Sequence, residues 1–382
     1  MRRLLLLVGA IVFVDTMFYA ALTPLLPEYA EEHDLSKAGA GLLSAAYALG
    51  ALLGSLPGGI VAARWGVRPT VLAGLAGMAL TTLTFGLADD IALLDLARFL
   101  QGVASAFSWT AALAWLVAAA PPDRRGETIG GAMAAAIFGA LFGPVVGATA
   151  SYIGTGLAFG SVAAFAAALA VWAMRTPTFT PETPQPISRL FAATRDRHIA
   201  AAVWFVAIPA LLFGALNVLG PLRLSALGLT TLAIGATWLI AALFEALMAP
   251  AIGRYSDRRG RLVPLRAGLL VAGISTATLP WIDHGWLLAI GVIVLSIAAG
   301  AFWSPAMSLL ADRAEEIGLD YAYGFALITL AWAPGAAVGS AVGGAVARAT
   351  SDAVVYLSLS AICLVTLVTL AARLREPAME PS

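Results

Sequence analysis

The sequence is poor in charge, nearly empty of cysteine and histidine, and almost without lysine. Only 12% of its 382 residues are charged, about half the usual share of a soluble domain. The formal net charge is zero, so no basic field marks a nucleic-acid partner. The single cysteine, Cys363, sits inside an apolar run. That excludes a disulfide framework and a cysteine-rich metal site. Three histidines, His33, His198 and His284, lie at the edges of apolar runs or in loops. They share no face, so no metal ligand set is expected. No phosphate-binding glycine loop occupies a polar segment, which argues against an ATP-driven pump. A membrane-embedded enzyme would need clustered histidine, paired carboxylates or metal ligands. Glu315-Glu316 is a carboxylate pair, but it stands in a charged loop with no histidine nearby. An enzyme is therefore the least favoured class, and no cofactor is expected.

What abounds is apolar surface: 60% of the residues are hydrophobic, more than a soluble fold of this size hides in one core. A spanning helix needs about 20 mostly apolar residues. Runs that qualify lie near 4–27, 39–61, 69–88, 91–118, 128–150, 155–174, 199–222, 231–252, 263–282, 285–310, 322–347 and 353–372. The expected fold is an all-α integral membrane protein of twelve transmembrane helices with the lipid bilayer as its surroundings. The first run follows Arg2 and Arg3 and continues to Pro27 without a small-residue cleavage site, so it reads as a span and not as a signal peptide. The longest polar interruption runs from Arg175 to His198. It divides the chain into a six-helix bundle over 1–175, a cytoplasmic linker over 176–197, partly helical along the membrane surface, and a second six-helix bundle with a short tail over 198–382.

Basic residues set the orientation. With the N terminus inside, the inner loops hold Arg64, Arg68, Arg124, Arg125, Arg175, Arg189, Arg195, Arg197, Arg254, Arg258, Arg259, Arg261 and Arg313, while the outer loops hold only Lys37, Arg223 and Arg348. The first outer loop is acidic, with Glu28, Glu31, Glu32 and Asp34. Both termini are thus expected in the cytoplasm of a multi-pass protein of the inner or plasma membrane.

An internal repeat supports two similar halves. Gly59, Arg64 and Gly66, after the second span, reappear as Gly253, Arg258 and Gly260 after the eighth, at a constant offset of 194 residues. Here the sequence resembles the major facilitator superfamily over nearly its whole length. That family's loop signature is Gly, three residues, Asp-Arg, one residue, Gly-Arg. The second copy, Gly253 through Asp257, Arg258, Gly260 and Arg261, fits it fully. The first keeps Gly59, Arg64, Gly66 and Arg68 but has Ala63 in place of the aspartate and Val67 in place of an arginine. The resemblance implies two pseudo-symmetric six-helix bundles, a monomeric transporter rocking about a central site, and a latch at these loops. A purely topological role for the arginines competes with the latch.

Six spans carry the residues of interest. In the fourth, Arg98 precedes Gln101, Ser105 and Trp109 at helical spacing, giving one polar and aromatic face. An arginine at the bilayer centre costs roughly 2.5–3.5 kcal/mol on insertion scales and should face the bundle interior, unless it snorkels outward. The run resembles the family's fourth-helix motif, whose arginine is proposed to assist proton transfer. In the fifth, Gly139, Gly143, Pro144 and Gly147 resemble the antiporter signature of drug:proton antiporters, with Ala148 where a second glycine is usual. Glycines four apart also permit close helix packing alone. In the first, Asp15 and Tyr19 ahead of Pro24 and Pro27 resemble the first helix of twelve-helix drug antiporters. Asp15 reads as a carboxylate that exchanges protons for a cationic substrate, or as half of a static salt bridge with Arg98. Glu245 in the eighth span, about two turns from its inner end, is a second proton carrier or cation site, or simply faces a wet cavity. Asn217 and Trp303 complete the expected substrate cavity. The function expected is proton-coupled efflux of hydrophobic or cationic small molecules, driven by the proton gradient. Import or exchange of a metabolite such as a sugar or amino acid is the alternative.

Overall fold

In a computed structural model, residues 2–121, 125–178, 186–193, 195–260, 262–319 and 321–373 are described. They form α1 (Arg2–Glu32), α2 (Lys37–Trp65), α3 (Val67–Leu87), α4 (Ile91–Ala119), α5 (Arg125–Ile153), α6 (Thr155–Met174), α7 (Ile187–Ala193), α8 (Arg197–Ala226), α9 (Thr231–Arg259), α10 (Leu262–Thr278), α11 (Gly285–Glu316), α12 (Tyr321–Ala349) and α13 (Asp352–Arg373). Among the described residues, twelve helices are long and apolar enough to cross a membrane. The short α7 lies in the polar interruption. The rest of that interruption lies partly outside the described residues, as does the tail beyond Arg373.

Several helices outlast the apolar runs that reveal them. α1 continues to Glu32, α9 to Arg259 and α11 to Glu316. A run read by hydropathy ends at the first charges, whereas helical hydrogen bonding continues into water. One consequence corrects the reading of Glu245. It lies midway along α9 and not near an end.

The helix pairings repeat. α1 packs on α5, α2 on α4, and α3 on α4 and α6; in the same order α8 packs on α12, α9 on α11, and α10 on α11 and α13. These are two pseudo-symmetric six-helix bundles. The main contacts between them, α2 with α12 and α5 with α9, are equivalents of each other under the same pseudo-symmetry.

Because lipid is as apolar as leucine, helix association depends on close packing. Small residues provide it. A Cβ on Gly143 would lie 2.5 Å from Ala20 Cβ and 2.7 Å from the Met17 carbonyl, and one on Gly147 would strike the Ala21 carbonyl. Gly139 likewise abuts Phe13 and Thr16. In the second half, Gly335 and Gly339 lie against the Ala207 and Leu211 carbonyls.

The loops after α2 and α9 reverse direction at Gly66 (φ 95°) and Gly260 (φ 86°). An L side chain is strained there, so glycine is required at each turn. At the arginine-rich face, Asp196 caps α8 by accepting from the His198 and Ile199 N–H groups, and it pairs with Arg313 of α11 at 2.8 Å. The Arg313 hydrogen bond and then the Ile199 N–H hold its carboxyl well below the usual range. The clamp is therefore present above ordinary carboxylate pKa values and is lost only as pH falls through that lowered value.

The opposite face is where the halves meet most tightly. Lys37 of α2 pairs with Asp352 of α13 at 2.5 Å, and Thr231 of α9 donates to Glu28 of α1. Gly41 lies against the Ser340 carbonyl and Gly344 Cα of α12. A Cβ on Gly235 of α9 would sit 2.9 Å from Ala148 of α5.

Candidate functional site

α1 carries Asp15 near its midpoint, with Pro24 and Pro27 in the half that follows. Each proline removes one helical N–H. Asp15 is buried, 4% exposed. Its Oδ2 accepts from the Tyr47 hydroxyl at 3.2 Å, and that phenol oxygen lies 2.8 Å from Ser105 Oγ. One phenol carries one proton, so the serine hydroxyl supplies the second proton of this three-oxygen cluster. Asp15 Oδ1 is buried without a partner.

Arg98 stands beside the cluster without forming a salt bridge to Asp15. Its guanidinium donates to Gln101 Oε1 at 2.7 Å and to the Phe18 and Tyr19 carbonyls at 3.3 Å each. It also lies over the rings of Tyr47, at 5.1 Å, and Phe85, at 5.7 Å. Gln101 donates in turn to Thr82 of α3 at 2.7 Å. Backbone carbonyls and ring faces thus spread the positive charge, leaving Nε unpartnered. Tyr47 is the element that separates carboxylate from cation.

A second layer faces the other bundle. Tyr19 packs on Tyr47 with ring centroids 5.1 Å apart and meets Trp332 of α12 edge-on at 5.3 Å. Asn217 of α8 is close enough to act on the Tyr19 phenol as a hydrogen-bonding group, while its Oδ1 accepts from Trp238 Nε1 at 2.8 Å. Tyr19, Asn217, Trp238, Trp303 and Trp332 are each half-buried. Trp303 packs with Trp332 against the alanine cluster of Ala45, Ala48, Ala210, Ala336 and Ala337, which draws on both halves.

The structure thus joins Asp15, Tyr19, Arg98, Gln101, Ser105 and Asn217 into one connected group. Gln101 and Ser105 are buried in this conformation. Trp109 packs against the main core. Glu245 stands apart from this group, between α9 and α11. A Cβ on Gly300 would approach its Cγ at 2.9 Å and its Oε2 at 3.0 Å.

Among the loop-motif residues, Arg68 donates to the Thr176 carbonyl at 2.5 Å, a favourable place for a cation at the end of α6. Arg64 and Arg258 are exposed, and an added Cβ at Gly59 or Gly253 would meet nothing within 4 Å. The Asp257 side chain and Arg261 lie outside the described residues. The glycines of α5 face α1, as described above. Sequence reasoning passed over Tyr47 and Thr82. Their only signal was a hydroxyl within a span. Two pockets, of ≈ 300 and ≈ 350 Å³, open at the tightly joined face and are lined by Thr230, Asp283 and Trp286, and by Lys37, Arg223 and Asp352. Neither includes Asp15 or Glu245.

The family model described as Major Facilitator Superfamily matches residues 8–333. An uncharacterized MFS-type transporter of Yersinia pestis is 25% identical over 98% of this chain and 95% of its own. The uncharacterized MFS-type transporter YceJ of Bacillus subtilis is 26% identical over 77% of each. The MFS-type transporter ppzB of Metarhizium rileyi is 32% identical over 35% of this chain, and the match spans only 29% of that fungal protein. Among solved structures, a POT family transporter in complex with 5-aminolevulinic acid superposes with a TM-score of 0.78, covering 96% of this chain and 95% of that one, at 15% identity. That likeness concerns the fold.

Proposed function

The chain belongs to the major facilitator superfamily of membrane transporters, and from that premise we propose that it is a proton-coupled antiporter that exports hydrophobic or cationic small molecules. The observation that carries the reading is the Asp15–Tyr47–Ser105 cluster. It places a buried carboxylate behind a phenol whose ring neighbour, Tyr19, touches the opposite bundle. A proton moving on or off Asp15 changes the charge beside Arg98, and Tyr47 and Tyr19 convey that change to the interface between the halves. Alternating access about such a midplane site is how this architecture moves solutes. A gradient drives export only if protonation and substrate occupancy disfavour each other.

The arginine-rich face is assigned to the cytoplasm by the basic bias of the loops. The conformation is then closed to the outside, through Lys37–Asp352 and the glycine contacts. The α5 glycines and Pro144 support export over import, through their likeness to the antiporter signature. The membrane is the inner or plasma membrane, and the working unit is one chain.

The test is accumulation of cationic and neutral fluorescent dyes in cells without their own efflux pumps. The protein should lower dye accumulation, and Asp15→Asn or a protonophore should abolish that effect. Full uphill export by Asp15→Asn would remove Asp15 from coupling. Unchanged accumulation of every dye would replace multidrug export by narrow metabolite exchange or import.

A further inference from the structure

The two membrane-embedded carboxylates named above occupy opposite kinds of place. Asp15 is enclosed. Tyr47 and Ser105 hold it, and the guanidinium of Arg98 lies over the Tyr47 ring. A bulky cation at Asp15 would compete with the Tyr47 hydroxyl and meet the like charge of Arg98. A proton passes along hydroxyl groups without displacing anything.

Glu245 is the converse. It is half-buried and has no hydrogen-bond or ion-pair partner among the described residues. Its carboxylate occupies the space that the missing side chain of Gly300 leaves on α11, with Oε2 at 3.0 Å from where that Cβ would stand. Trp238 lies seven residues earlier on α9, two turns away on the same face, and binds Asn217 of the central group. Trp303 lies one turn beyond Gly300 on α11 and, like Trp332, packs against the alanine cluster between the halves. The acid therefore shares the α9 face of Trp238 and lies against α11 one turn from Trp303. Indole and phenol faces attract organic cations. A membrane-embedded carboxylate with no counter-ion among the described residues is costly unless it is neutralised, and a cationic ligand supplies that neutralisation. An anionic ligand would be repelled by the carboxylate.

We propose that Glu245 is the residue that receives the positive charge of an organic cation, and that Asp15 is reserved for the proton. The two tasks are then divided between the two bundles. The proposal rests on the export reading above and narrows it, because it assigns substrate charge recognition to the second half.

The experiment measures equilibrium binding of radiolabelled tetraphenylphosphonium, a permanent organic cation, to the purified full chain in detergent. The proteins compared are wild type, Glu245→Gln, Glu245→Asp, Gly300→Ala and Asp15→Asn, each first shown to elute as wild type on size exclusion. Glu245→Gln should weaken binding at least tenfold. Glu245→Asp, which keeps the charge, should weaken it less. Gly300→Ala, which evicts the carboxylate from its space, should weaken it several-fold. Asp15→Asn, which mimics the protonated acid and so disfavours the cation through coupling, should still weaken binding less than Glu245→Gln does. The reverse result, with Asp15→Asn losing the cation and Glu245→Gln retaining it, would overturn the proposal and leave export standing. So would uphill export of neutral dyes by a wild-type protein that binds no tetraphenylphosphonium. Failure of both binding and dye export would remove the two readings together.

Discussion

The phenol of Tyr47 donates its one proton to Asp15 Oδ2 and accepts from the Ser105 hydroxyl, and a guanidinium lies above its ring. Removing the phenol hydroxyl strips a buried carboxylate oxygen of a donor, a loss of about 1–3 kcal/mol where nothing replaces it. Tyr47→Phe, which keeps the ring under Arg98, is expected to lower the unfolding midpoint in detergent accordingly. An unchanged midpoint would mean that Ser105 satisfies Asp15 by itself. Asp15 and Arg98 were legible in the sequence because a charge inside an apolar run is expensive and so announces itself. Tyr47 and Thr82 were not. A hydroxyl in an alanine-rich helix costs little to bury when it is satisfied, and its partner depends on which helix faces meet. The pairing of Arg98 with carbonyls and Gln101, where a salt bridge to Asp15 was one expectation, has the same origin. Backbone acceptors have no sequence signal.

Helices in this protein are set by what they lack at the contact. The stripe of Gly139, Gly143 and Gly147 brings α5 against the backbone of α1. A methyl at Gly147 would meet the Ala21 carbonyl, and also the Pro24 ring at 2.8 Å. Neither can retreat as a flexible side chain would. Gly147→Ala is therefore expected to exceed the usual overpacking cost of about 1–3 kcal/mol and to broaden or shift the size-exclusion peak. Gly59→Ala, facing open space, should elute and unfold as wild type. Equal behaviour of the two variants would refute this packing account. The twelve spans were legible to within a few residues because hydropathy and length decide them together. The ends of α9 and α11 were not, since charged residues stop a hydropathy run but not a helix. That difference moved Glu245 from near an end to mid-helix.

At the scale of the whole molecule, two bundles meet along equivalent seams, α2 with α12 and α5 with α9. The repeat of Gly59, Arg64 and Gly66 at Gly253, Arg258 and Gly260 foretold the two halves. It could not foretell which face is closed, because both conformations of such a transporter use one set of residues. Lys37–Asp352 bridges the halves at the closed face, with the lysine side chain 39% and the aspartate 17% exposed. An ion pair that open contributes about 0–1 kcal/mol, so the glycine-backed helix contacts hold most of the closure. Lys37→Ala should shift the population toward opening by no more than about fivefold. Distances between spin labels on exposed positions of α2 and α13 measure that shift. An unchanged distribution would assign the closure to helix packing alone. The same residue is the sole lysine of the chain, so apart from the terminal amine it is the only primary amine that an acylating reagent can modify. Its nitrogen is engaged by Asp352 in this conformation, and opening of the face is expected to free it. The rate of acylation at this one position therefore reads the transport cycle directly, without any label being engineered into the protein.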